Sequence, residues 1–167
     1  MSATKIWYTH NLKNANLTLK VKAIHLSATL PPGSSSGSIT PIPHWRIYLE
    51  VPDQKSVSLD MTPGGDGQTG LILVQSRSYA NTENKLVSFS ASASVDMTVE
   101  QVMGIIRSNK REFYRFTSQG TGCRWWCRTI LNDLEKIGAV APQSTAHFDN
   151  YLHFLRCMKL ARRVPHI

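Results

Sequence analysis

The sequence predicts an α+β fold in which an antiparallel sheet packs against helices. Apolar and polar residues alternate through much of the first half of the chain, whereas apolar residues recur at helical spacing in the second half. Strands that come first and helices that come later are typical of the α+β class. The chain has 167 residues, the length of one ordinary domain, so we expect a single domain over residues 1–167.

The first half contains five predicted strands and one flexible loop. Alternation and turn residues predict strands at about 17–28, 44–51, 56–61, 71–75 and 86–92. In the first of these strands, one face is expected to carry Leu19, Val21, Ala23 and His25. The stretch at about 31–43 is rich in Pro, Gly and Ser and predicts the flexible loop. The turn Pro52-Asp53-Gln54 predicts that the second and third strands form a hairpin.

The second half contains three predicted helices. Thr98 and Gln101 have the spacing of a capping box, which predicts a helix from residue 99. The second helix follows Gly122 and carries a continuous apolar stripe from Cys123 to Ile137, and Gly138 is a typical residue after a helix end. The third is expected at about 144–161. Residues 113–117 are interpreted as a short strand or an extended connector.

Several classes of protein are disfavoured by what the sequence lacks. No apolar run is long enough for a membrane span, and the first ten residues have no apolar stretch like that of a signal peptide. Three cysteines are too few for a secreted disulfide framework. A cytoplasmic protein is therefore expected. No nucleotide-binding loop, dinucleotide fingerprint or zinc spacing is present, so no cofactor or metal is expected.

The chain is strongly basic. Its 19 Lys and Arg residues against 11 Asp and Glu residues give a net charge of +8. Such a charge favours anionic partners, among them RNA, although a general effect on solubility explains it equally. The basic residues are dispersed except near the end of the chain, where four form an acid-free cluster: Arg156, Lys159, Arg162 and Arg163. This basic tail is the candidate anion-binding segment.

Cys123 is the candidate nucleophile. It stands in the first turn of the second predicted helix, where unpaired N–H groups and the helix dipole stabilise a thiolate. Gly122 would let a substrate carbonyl approach the backbone, and the N–H of Cys123 is a candidate oxyanion donor. The alternative is that Cys123 packs in the core as part of the apolar stripe. Core packing is the interpretation for Cys127 and Cys157, which lie inside helices.

A nucleophilic cysteine needs a base, and His44 is the best candidate of the six histidines. It opens a predicted strand directly after Ile42-Pro43, where the proline restricts the backbone and the imidazole can project at a sheet edge.

The residues around these two candidates resemble a known family. The strand His44-Trp45-Arg46-Ile47-Tyr48-Leu49 is similar to the His-Trp-x-Ile-Tyr-hydrophobic strand of the lecithin:retinol acyltransferase-like group, in the circularly permuted branch of the papain-like (NlpC/P60) fold. Asp60 on the next strand and the helix start Gly122-Cys123-Arg124-Trp125-Trp126 follow in that family's order. Small fungal proteins with a Gly-Cys-Arg-x-Trp helix start are also similar. This chain has Gly before the cysteine where the family has Asn, and Asp as the third polar residue where the family has His.

The resemblance implies a circularly permuted papain-like fold and a thiol-dependent acyl transfer. In that chemistry His44 takes the thiol proton, Cys123 attacks an acyl carbon to form a thioester, and Asp60 orients the imidazole. The acyl substrate is expected to be a small molecule, in a biosynthetic acyltransferase, an amide-forming enzyme or an amidohydrolase. The candidate pocket and oxyanion residues are Gly122, Gln119, Trp45, Trp125 and Trp126.

Two other kinds of function remain open from the sequence. An enzyme on the same fold that shapes its substrate without covalent chemistry, such as a cyclase or pericyclase, would keep its activity when Cys123 is replaced by Ala. A basic RNA-binding module would show salt-dependent RNA binding. An acyl transfer from an aminoacyl-tRNA would combine the cysteine with the positive charge.

Overall fold

The structure, a computed structural model, describes residues 6–30, 42–118 and 121–157. The described strands and α-helices are, in chain order, β1 (Trp7–Asn11), β2 (Ala23–Thr29), β3 (His44–Val51), β4 (Lys55–Pro63), β5 (Gly70–Arg77), β6 (Val87–Ser92), α1 (Val99–Ser108), α2 (Cys123–Lys136) and α3 (Ser144–Cys157). One 3₁₀ turn, Asn14–Asn16, follows β1. Strands precede helices and form one sheet, which confirms the predicted α+β class.

The six strands form a sheet in the order β1-β5-β4-β3-β2-β6. All neighbours are antiparallel except β1 and β5, which are parallel. The hairpin predicted between β3 and β4 is present. Its turn residues Asp53 and Gln54 both have positive φ, at 62° and 53°, as in the tight turns whose twist matches that of the flanking strands.

The ladder between β3 and β4 is shorter than the strands themselves. It runs from the pair Val51–Lys55 to the pair Ile47–Leu59. On its other edge β3 stays paired with β2 as far as the pair His44–Thr29, and β4 stays paired with β5 as far as Pro63–Gly70. The pairing of β3 with β4 therefore ends at Ile47 and does not extend to residues 44–46, the first three of β3. The candidate site lies beside this end of the ladder.

The core lies between one face of the sheet and the helices. Along β3 and β4 every second residue is buried on this face: Trp45, Ile47, Leu49, Val51, Val57, Leu59 and Met61. Helix α2 packs against β3 and contributes Trp126, Ile130 and Leu134, while Phe148 of α3 meets the Trp45 ring edge-on at 5.6 Å. Each such fully buried large side chain contributes about 2 kcal/mol of apolar burial, so this layer holds α2 on the sheet.

The first predicted strand needs correction. Regular strand begins only at Ala23, and residues 17–22 form hydrogen bonds outside any strand, for example from the N–H of Val21 to the carbonyl of Met97 at 2.8 Å. Val21 and Ile24 are both buried, whereas His25 points to the other face, where its ring nitrogens contact Ser90 and Glu50. The irregular segment shifts the alternation by one residue, so His25 and Val21 do not share a face.

The predicted helices agree with the structure. The Thr98 hydroxyl and the Gln101 side chain form the expected capping box at α1. Gly138 follows the end of α2 with φ of 73°. Helix α3 is described as far as Cys157, and most of the predicted loop at 31–43 lies outside the described residues. None of the helices in the described ranges is both long and apolar enough to cross a bilayer.

Candidate active site

Cys123 begins helix α2 after a turn that only glycine fits. Gly122 has φ of 141°, and a Cβ at this position would overlap the Tyr114 hydroxyl. That hydroxyl donates a hydrogen bond to the Gly122 carbonyl at 3.0 Å. Tyr114 is itself held by its own carbonyl, which accepts a hydrogen bond from the N–H of Gly70 at 2.8 Å. Tyr114 therefore links the start of β5 to the turn that aims Cys123.

The thiol of Cys123 contacts the sheet directly. The N–H of Trp45 donates to Cys123 Sγ at 3.4 Å, at the end of β3 beyond the ladder with β4. Cys123 is only 8% exposed. The sulfur thus takes the place of a strand neighbour for one backbone N–H group.

His44, Asp60 and Arg46 form a charged cluster next to this sulfur. Nε2 of His44 lies 2.5 Å from Oδ1 of Asp60, and Nε of Arg46 donates to Oδ2 of the same carboxylate at 2.6 Å. Nη1 of Arg46 also donates to Thr29 at 3.0 Å. One oxygen of Asp60 therefore contacts His44 and the other contacts Arg46, and the imidazole is held in place through its Nε2 atom.

The thiol and the imidazole stabilise each other's charged forms. Burial lowers the pKa of His44, but its hydrogen bonds to Asp60 and Cys123 and their negative charges outweigh burial and raise the pKa to about 9. Burial raises the pKa of Cys123, but the hydrogen bond and charge of His44, with the N–H groups of Trp45 and Arg124, lower it overall. These opposite shifts favour a thiolate–imidazolium pair at neutral pH.

Asp60 keeps its negative charge although it is buried. Burial raises its pKa, but the hydrogen bond and positive charge of His44 and the neighbouring Arg46 outweigh burial and lower the pKa. A permanent carboxylate at this point stabilises the imidazolium form of His44.

The other two cysteines have different environments. Cys127 is completely buried, and burial next to Cys123 raises the pKa of its thiol well above the ordinary value. Cys157 is exposed at the end of α3, 3.6 Å from Nε2 of His153, so the expectation that it packs in the core is wrong. It lies on the face of α3 that does not contact the sheet.

The three predicted pocket tryptophans have three different placements. Trp45 is 1% exposed and its ring packs on Phe148 in the core, while its N–H contacts Cys123 Sγ. Trp126 is equally buried and donates from Nε1 to the carbonyl of Arg111 at 2.9 Å, although its edge lines a small cavity of about 130 Å³. Trp125 is half exposed. Gln119, the predicted oxyanion donor, lies outside the described residues.

Of the predicted basic tail, the structure describes only Arg156. It is exposed in the last turn of α3 and lines a groove between α2 and α3. Lys159, Arg162 and Arg163 lie outside the described residues.

Three residues near the site were not predicted. Arg46 shares the face of His44 because side chains alternate along a strand, so the two-residue spacing was a usable signal. Tyr114 and Arg124 gave no such signal, since their contacts depend on how α2 packs. In the described part of the chain, no three His, Cys, Asp or Glu side chains are grouped so as to hold a metal ion.

The comparison with known families gives one match. The sequence model of a family described as a domain of unknown function, DUF7770, matches residues 24–166. The chain belongs to this family. The DUF7770 match includes His44, Asp60 and Cys123 and every element from β3 to α3, whereas β1 precedes it. No curated protein and no solved structure matches the chain.

Proposed function

We propose that the chain is a cysteine-nucleophile enzyme that transfers an acyl group from a small-molecule substrate through a thioester on Cys123. The observation that carries this proposal is the paired environment of Cys123 and His44. The pKa of the thiol is lowered, the pKa of the imidazole is raised to about 9, and Asp60 holds the ring. A cysteine that merely filled the core would need neither the histidine nor the carboxylate.

In the first half-reaction, the Cys123 thiolate attacks the acyl carbon. A carbon–sulfur bond forms and the bond from that carbon to the leaving group breaks. The leaving group takes the proton of the His44 imidazolium, so the charges of the pair are neutralised as the thioester forms. Because Asp60 engages Nε2, Nδ1 is the nitrogen that exchanges this proton.

In the second half-reaction, His44 acts as the base. The neutral imidazole takes a proton from water or an amine, whose oxygen or nitrogen bonds to the acyl carbon as the carbon–sulfur bond breaks. The thiolate and imidazolium are thereby restored. Water gives hydrolysis and an amine gives an amide, so the same residues serve either outcome.

The start of α2 supplies the groups that stabilise the oxyanion. The first N–H groups of a helix have no partners within the helix, and the helix dipole adds a partial positive charge. Tyr114 fills the space beside the Cα of Gly122, so the N–H of Cys123 itself is the oxyanion donor at this turn. This arrangement favours acyl chemistry over a non-covalent cyclase, which has no use for a polarised thiol.

Alkylation tests the proposal without knowledge of the substrate. Because Cys157 is exposed, the experiment uses a Cys157→Ser background, in which iodoacetamide at pH 6 should modify Cys123 and leave the buried Cys127 untouched. His44→Ala should slow this labelling markedly. His147→Ala, which removes an exposed histidine of α3, is the matched control and should not change the rate. A labelling rate indifferent to His44 would return Cys123 to a purely structural role.

Acyl capture tests the chemistry itself. Incubation with p-nitrophenyl acetate should add one acetyl group to Cys123, detected by intact mass and lost in Cys123→Ala. A protein that stays unacetylated while its thiol is reactive toward iodoacetamide would favour the non-covalent cyclase.

A further inference from the structure

A groove of about 420 Å³ runs between α2 and α3, next to the first turn of α2. One wall is aromatic and aliphatic, formed by Trp125, Phe148 and Leu152. Among the described residues, the charged side chains that line it are those of Arg124, Arg128, Asp149 and Arg156, three cations and one anion.

Arg124 is the unusual residue of this groove. Only 8% of its surface is exposed, yet its Nη1 has no hydrogen-bond partner in the part of the chain that the structure describes. A buried guanidinium nitrogen without a partner is costly, and native proteins rarely keep one without a reason. Burial and the positive charge of Arg156 lower the pKa of Arg124 by more than the negative charges of Cys123 and Asp149 raise it.

Among the described lining residues the acidic one is Asp149, which is engaged by Arg128 and acts on Arg124 through its charge without forming a hydrogen bond to it. Both oxygens of Asp149 are taken by Arg128, whose Nε donates at 2.7 Å and whose Nη2 donates at 2.5 Å. The Arg128 guanidinium also lies over the Trp125 ring, 5.2 Å from its centroid, and this cation–π contact helps to hold it in place. Neither Arg124 nor Arg156 therefore forms a salt bridge within the described residues, and Nη1 of Arg124 stays without a hydrogen-bond partner there.

We propose that this groove is an anion-binding subsite in which Arg124 and Arg156 hold a carboxylate or phosphate group of a ligand whose apolar part lies on Trp125. Guanidinium groups bind both oxyanions through charge-assisted hydrogen bonds, and a half-exposed indole beside them covers an apolar segment. Nη1 of Arg124 is enclosed, so binding requires a rotation of its guanidinium toward the groove.

The subsite also indicates which substrates the proposed enzyme would accept, and this inference about the substrate rests on the proposed function. Arg124 follows Cys123 directly, so a ligand held by Arg124 is anchored at the turn that carries the nucleophile. The substrate class is then an acyl compound with a second, anionic end, and the anion positions it by a contact that does not take part in the chemistry.

Thermal unfolding at low ionic strength tests the subsite, with inorganic phosphate and succinate as separate probes and sodium chloride of equal ionic strength as the reference. The protein should unfold at a higher temperature with phosphate or succinate than with chloride, and the probe that acts identifies the oxyanion. Arg124→Met should abolish this shift, while raising the unfolding temperature of the free protein because it removes an unpaired buried cation.

Two further variants keep the test decisive. Arg156→Ala alters an exposed residue at a helix end and should weaken binding at least ~10-fold, the effect of losing one charge-assisted hydrogen bond. Arg115→Met removes an equal charge at an exposed position outside the groove and should bind as the wild type does. Cys123→Ala should retain the phosphate or succinate shift, because the anion contacts Arg124 and Arg156, so the subsite is measured even where the thiol chemistry fails. Equal shifts in wild type and Arg124→Met, or no shift with either probe, would overturn the proposal.

Discussion

Oδ1 of Asp60 lies 2.5 Å from Nε2 of His44, and this contact joins two strands beyond the last pair of their ladder. Arg46 binds the other carboxylate oxygen, so the carboxylate cannot turn away from the imidazole without losing a second charged partner. The cluster therefore substitutes side-chain contacts for the backbone pairs that end at Ile47–Leu59. It serves both the sheet and the thiol, and variants should separate these two roles.

Asp60→Asn should uncouple the histidine from the thiol. Loss of the carboxylate charge removes a main cause of the raised pKa, so the pKa of His44 should fall from about 9 toward its ordinary 6.5. Alkylation of Cys123 at pH 7 should slow, because a ring that loses its proton more readily stabilises the thiolate less. The pKa is followed by NMR titration of the ring. Asp53→Asn, in the exposed hairpin turn, should leave both quantities unchanged. An unshifted His44 in Asp60→Asn would show that the carboxylate does not control the ring.

The stability of the protein should depend weakly on pH between 6.5 and about 9. Because the pKa of His44 is raised on folding, its contribution is complete below 6.5 and is lost as the pH rises to about 9. Cys123 has the opposite sign, because its pKa is lowered on folding and the unfolded chain keeps a proton that the folded chain has released. The pH dependences that His44 and Cys123 contribute to the free energy of unfolding therefore partly cancel in the wild type.

Cys123→Ser should reveal the pH dependence of stability that His44 contributes, because a serine does not ionise in this range. Its free energy of unfolding should fall with rising pH by up to ~1.4 kcal/mol for each unit, measured by urea unfolding at pH 6.5, 7.5 and 9. Because Cys123 is one cause of the raised pKa of His44, this fall should end below pH 9 in the variant. Cys157→Ser is the control and should stay as flat as the wild type, because that thiol is exposed. A wild type as steep as Cys123→Ser would contradict the ion pair.

Gly122→Ala should be more damaging than Gly138→Ala. Gly138, with φ of 73°, is close to the left-handed helical region, where alanine costs about 1 kcal/mol, whereas φ of 141° at Gly122 lies outside the regions that alanine favours. An added Cβ at Gly138 meets no atom within 4 Å, whereas at Gly122 it overlaps the Tyr114 hydroxyl. Urea unfolding should therefore show a clearly larger loss for Gly122→Ala, together with slower alkylation of Cys123. Tyr114→Phe should rescue part of the loss because it removes the overlapping oxygen. Equal losses at the two glycines would show that the turn yields without cost.

The basic tail gives a prediction about RNA. If its four basic residues grip an RNA donor, the logarithm of the binding constant should fall with the logarithm of the salt concentration by about 0.7 to 0.9 per phosphate contact. Neutralising all four should flatten this slope. The control neutralises four exposed basic residues elsewhere, Lys55, Lys85, Lys110 and Arg115. Absence of binding at ~50 mM salt, or an equal effect of the control, would leave the charge with a role in solubility only.

Local signals predicted most of the elements. Thr98, Gln101 and Gly138 mark helix ends through their own backbone contacts, which depend on residues a few positions away. Strand β1 was not predicted, because its short mixed sequence is a strand only through its pairing with β5, more than sixty residues later. The segment 17–22 alternates like a strand but lacks a neighbouring strand to pair with along its length.

In the candidate site, too, features set by neighbouring residues were predictable, whereas contacts between distant residues were not. Cys123 stood out because a glycine and a helix start adjoin it, and His44 stood out at a strand start. Their approach depends on where the β3–β4 ladder stops, which no local pattern reveals. The unpartnered Arg124 was likewise invisible in the sequence, because a lack of partners is a property of the packed structure.

The contact from the Trp45 N–H to Cys123 Sγ gives the protein a built-in spectroscopic indicator. The donor is a main-chain amide of β3, in a residue paired with Ala28 of β2, and the chemical shift of an amide proton depends on the acceptor of its hydrogen bond. A sulfur that gains or loses a full charge, or that becomes a thioester, changes that acceptor completely. The ¹H–¹⁵N signal of Trp45 therefore follows the covalent and ionic state of the thiol in real time, with no label attached to the protein's sulfur.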